Sequence, residues 1–158
     1  MWFFMITSYI MVTLSGIGLL MIGVNHYINI WPTSHITFDL LVSIIFIAAQ
    51  TLVMFFFVGT GVNIKEYAQE HPEIGDKFYQ GILGIKRKLY PPTLMVTILF
   101  MVAVILDGGF FLGKVNEWWF HIFYFLTIYY YIKATVVQHR AFVGSTHIVL
   151  EMTGMDKK

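Results

Sequence analysis

Six side chains could bind a cation or move protons: His26, His35, Asp39, Asp107, Glu117 and His121. Imidazole nitrogens and carboxylate oxygens are the donors that zinc, copper and iron accept. With no cysteine anywhere, disulfides, thiolate metal sites and thiol catalysis are excluded. His35 and Asp39 are four residues apart, so they share a helix face if a helix begins that early. The six match no short metal motif, so any chemistry depends on the fold bringing them together. Candidate metal donors are His35, Asp39, Asp107 and His121. Candidate ligands of a b-type haem or a transition metal are His121, His35 and His26.

The elements that must position them are apolar. Of the 158 residues, 58% are hydrophobic, 18% aromatic and only 12% charged. A soluble domain of this size could not hide that much apolar surface, so lipid must be part of its solvent. A bilayer core of about 30 Å needs about 20 apolar residues of helix per crossing. Four stretches qualify: 2–24, 40–62, 93–112 and 118–137. None alternates apolar and polar residues as barrel strands do. The expected fold is therefore an all-α integral membrane protein, a four-transmembrane-helix bundle forming one domain over residues 1–158.

Between spans two and three lies a loop, residues 63–92. In it Ile74, Phe78, Ile82, Ile85 and Leu89 recur at three- and four-residue intervals beside Lys86-Arg87-Lys88. That pattern predicts a short interfacial helix on anionic headgroups, with Pro72 in its first turn and Pro91-Pro92 ending it. Gly75, Gly81 and Gly84 weaken it. Past Lys133 the fourth helix is expected to extend as an amphipathic tail over 138–158.

With four crossings, both termini and the middle loop share one side. That side carries Lys65, Lys77, Lys86, Arg87, Lys88, Lys133, Arg140, Lys157 and Lys158, and the other only Lys114. A nine-to-one split places the termini in the cytoplasm of a bacterial-type inner membrane or its equivalent. The six candidate residues then gather on the outer side. Because Lys114-Val115-Asn116-Glu117 is a short turn, spans three and four must be antiparallel neighbours. An ionised Asp107 facing acyl chains would cost about 2.5–3.5 kcal/mol on insertion scales, so it should turn inward. His121 is its expected partner, with Tyr27, His26 or His35 next. Gln50, in the middle of span two, is expected to bond Thr97, Thr127 or the tyrosines at 129–131.

Nucleotide binding is excluded: "VGTGVNIKE" lacks the ending of a phosphate loop and has no preceding strand. No serine or threonine has a base and an orienting partner, so hydrolase chemistry has no support and the chain is not expected to be an enzyme on its own. A histidine-bearing four-helix membrane bundle resembles, in plan only, small b-type cytochromes and the anchor subunits of succinate dehydrogenase-like complexes. The expected function is a small subunit or accessory protein of a larger membrane complex, with respiratory or electron-transfer complexes among the kinds it would fit. Its partners would be lipid and other membrane subunits, not nucleic acid. The alternatives are a haem- or metal-binding electron-transfer protein using the outer His/Asp cluster, and an oligomeric transporter or channel.

Overall fold

The computed structural model describes residues 2–30, 34–71 and 76–154. Expectations that involve Pro72, Ile74, Gly75, Lys157 and Lys158 fall outside the described residues. Four helices follow one another: α1 Trp2–Ile28, α2 His35–Glu70, α3 Lys77–Phe111 and α4 Glu117–Met152. All four are long and apolar enough to cross a membrane. The 36 residues of α2 and of α4 rise about 54 Å, well beyond a 30 Å hydrocarbon core. Large apolar side chains cover the outside, among them Phe3, Ile44, Phe55 and Ile105, each at least 67% exposed. Water would penalise such a surface, whereas lipid would not.

Successive helices pack side by side in an up-and-down bundle. The C-termini of α1 and α3 therefore meet the N-termini of α2 and α4 at one end, called the loop end below. The core beneath it is aromatic: Phe46 and Phe100 are fully buried and stack with centroids 3.8 Å apart. Phe120 and Tyr124, in the same cluster, form a second stacked pair with centroids 5.2 Å apart.

The α3–α4 turn has a clear local cause. Gly113 takes a left-handed φ of 67°, which a glycine adopts without steric cost. Its N–H donates to the Phe110 carbonyl at 2.8 Å, while Lys114 N–H donates to the Gly109 carbonyl at 2.9 Å. Those two bonds make a Schellman stop, satisfying carbonyls that the helix end would strand. Asn116 then caps α4, its side chain accepting from Trp118 N–H at 3.0 Å. Asp107 and Glu117 are thereby fixed on either side of one tight reversal.

Two expectations are corrected. No separate helix forms in the middle loop among the described residues; from Lys77 its sequence is already α3, which runs straight through Pro91 and Pro92. The prolines deprive the Arg87 and Lys88 carbonyls of helical partners, but both residues are exposed and can bond water or headgroups. The apolar stripe faces protein rather than lipid headgroups. Ile82 and Leu89 are fully buried, with Phe78 and Ile85 packed on the same cluster as Phe142 and Ile148. At Gly81 a Cβ would come within 3.1 Å of Ile148, so the absence of a side chain allows α3 and α4 to close.

Gln50 also finds a different partner. Gln138 donates to it at 2.8 Å and to Thr93 Oγ1 at 3.3 Å, joining α2, α3 and α4. Gln138 belongs to the bundle because α4 continues unbroken past Lys133, with Ala141, Phe142 and Ser145 buried below it. The fourth helix extends past Lys133 as far as Met152, with one side of the extension buried in the bundle.

Candidate metal centre

All six candidate residues meet at the loop end. α1 delivers His26 from its last turn, α2 delivers His35 and Asp39 from its first, α3 contributes Asp107, and α4 contributes Glu117 and His121. Asp107 is the hub and is fully buried. Its Oδ1 accepts from His26 Nδ1 at 2.5 Å and its Oδ2 from His35 Nε2 at 2.9 Å. The expected pairing of Asp107 with His121 is thus replaced by two imidazoles from α1 and α2. His121 stands one ring further out, edge-on to His26 with centroids 5.8 Å apart.

The hydrogen bonds fix where the protons sit. A carbonyl can only accept, so the 2.8 Å contact from His121 Nδ1 to the Glu117 carbonyl makes Nδ1 the donor. In the neutral ring that leaves Nε2 with its lone pair free. The same logic applies to His26, whose Nδ1–H points at the Asp107 carboxylate. Its Nε2 is buried, makes no hydrogen bond, and lies 3.5 Å from Glu117 Oε1. His26 is further held by stacking on Phe120, with centroids 3.9 Å apart. His35 stacks on Phe111 at 4.7 Å.

Behind Asp107 lies a second group. His35 Nδ1 accepts from Asn25 Nδ2 at 2.8 Å, which assigns the ring proton to Nε2. Asp39 is only 3% exposed; its carboxyl lies beside that of Asp107, and its Oδ2 is 3.5 Å from His35 Nε2. Among the described residues, two sets place one ligating atom each within 4.8 Å of one another: His26, Glu117 and His121, and His35, Asp39 and Asp107. The first opens to the surface through Glu117, whose side chain is 49% exposed, and the second is buried throughout.

The histidines at the other end do not converge in this way. His139 bonds the Tyr9 hydroxyl at 2.8 Å, His71 the Tyr67 carbonyl at 3.2 Å, and His147 approaches Glu151 at 3.9 Å. Sequence reasoning overlooked Asn25, whose only signal was its place beside His26, and left Glu117 out of the donor set. No known protein family matches the chain, and no curated protein or solved structure matches it either.

Proposed function

We propose that this is an integral membrane protein that holds a zinc-class divalent ion between His26, Glu117 and His121 at the loop end. One observation carries the reading. Asp107 holds His26 by Nδ1, while the opposite nitrogen, buried and without a hydrogen bond, is directed towards Glu117. A carboxylate–histidine pair of this kind is how proteins orient an imidazole and raise its basicity for a metal. Two neutral imidazoles and one carboxylate suit zinc well, and three protein ligands leave a fourth position for water or a substrate group. Copper and iron also accept these donors, so the electron-transfer alternative uses the same three residues.

Haem is the weaker candidate. The expected haem pairs join His121 to His26 or to His35, and the rings of His26 and His35 are instead turned onto the Asp107 carboxylate. The nine-to-one distribution of basic residues would put the ion on the non-cytoplasmic side. A role as a subunit of a larger complex is compatible with this reading, because partner helices could cover the exposed apolar faces as lipid does.

Calorimetric titration of the full chain with Zn(II), in detergent or nanodiscs, tests the proposal. The wild type should bind zinc tightly, and His121→Gln should weaken that binding at least tenfold without changing the helical content. Equal affinity in both proteins would sink it.

A further inference from the structure

We infer that His35, Asp39 and Asp107 form a second, buried site for a divalent cation harder than zinc, such as Mn(II) or Fe(II). This goes beyond the proposed surface ion and rests on that reading only in sharing Asp107.

The argument starts from charge. Asp39 and Asp107 sit side by side, 3% and 0% exposed, and two ionised carboxylates there would place two negative charges in a dry pocket. The His26 and His35 hydrogen bonds satisfy Asp107, while Asp39 has only the like-charged Asp107 carboxyl beside it and His35 Nε2 at 3.5 Å. Two buried carboxylates side by side are costly to keep ionised without a cation between them. A divalent cation would neutralise both charges at once and give the Asp39 oxygens a strong, oppositely charged contact. One ligating atom from each of the three residues already lies within 4.8 Å of the other two. Two carboxylates to one imidazole is a harder donor set than the surface site's two imidazoles to one carboxylate, hence the different metal preference.

The surroundings are arranged to permit the exchange. His35 now donates its Nε2 proton to Asp107, and an incoming ion would take that proton's place. The Asn25 amide beside Nδ1 would then turn over, so that its oxygen accepts from Nδ1–H. Asp107 would bind the inner ion through Oδ2 while Oδ1 keeps hold of His26. Occupancy of either site would therefore be felt at the other through one carboxylate.

The competing reading is that Asp39 is simply a protonated acid. Asparagine mimics a protonated acid, which makes Asp39→Asn discriminating. Mn(II) uptake should be followed by loss of the free-ion electron paramagnetic resonance signal, in full-length protein in nanodiscs. Glu117→Gln should retain one Mn(II) per chain, whereas Glu117→Gln combined with Asp39→Asn should retain none. Asp39→Asn alone should still bind zinc at the surface site. Equal Mn(II) uptake in the single and double variants, or no uptake in Glu117→Gln, would overturn the inner site. Unchanged zinc binding in Glu117→Gln would instead count against the surface site. Should a variant fail to fold, the unmodified chain with Zn(II) at the surface serves: bound Mn(II) should couple to one imidazole nitrogen, and no nitrogen coupling would overturn the proposal.

Discussion

Among the described residues, two polar networks each tie three helices together inside the bundle, and they are built differently. Halfway along the bundle, Gln50, Gln138 and Thr93 join three helices through neutral amide and hydroxyl groups. Only Gln138 Oε1 is left without a partner there, a modest cost for an uncharged atom. At the loop end, three imidazoles and three carboxylates gather, and the groups left over are a buried imidazole nitrogen and a buried acid set beside another carboxyl. Neutral groups that almost complete one another act as glue. Charged groups whose spare valences point at common spaces are prepared for something else.

The difference can be broken most severely at Asp107. Replacement by alanine strands two imidazoles around a buried void, and thermal or denaturant unfolding should show a loss of about 3–5 kcal/mol. Metal binding should vanish with it. Asp107→Asn keeps the shape but removes the charge behind His26, and titration should then show zinc affinity lowered about 10- to 100-fold. The amide cluster should respond far more mildly. In a double-mutant cycle of Gln50→Leu and Gln138→Leu, the coupling read from unfolding should be about 0.6 kcal/mol, with no change in bound metal. Glu117→Gln should have the smallest structural effect, within about 0.5 kcal/mol, since it alters a half-exposed side chain. It should nevertheless remove the surface ion, separating stability from binding.

Much of this was legible in the sequence. Four apolar runs of sufficient length dictate the helices, and the short turn after Gly113 dictates that α3 and α4 are neighbours. Chain direction alone carries His26, His35, Asp39, Asp107, Glu117 and His121 to one end. Azimuth is what hydropathy does not record. A helix turns about 100° per residue, so an error of one position redirects a side chain to a different neighbour. Hence Asp107 meets His26 and His35 rather than His121. Asn25 gave no warning because an asparagine near a helix end is ordinarily just solvated. Pro91-Pro92 read as a break because proline costs a helix two hydrogen bonds here. The exposure of Arg87 and Lys88, together with the buried stripe from Ile82 to Leu89, offsets that cost. Gln138 escaped notice because the expected span ended at 137, one residue before it.

Zinc-edge X-ray absorption on the purified, zinc-loaded chain probes the central claim most directly. The spectrum should show nitrogen and oxygen ligands at about 2.0–2.1 Å, with the outer-shell scattering of two imidazoles. His121→Gln should reduce that scattering to a single ring. Zinc surrounded by oxygen alone, or a two-imidazole signature that persists in the variant, would contradict the account.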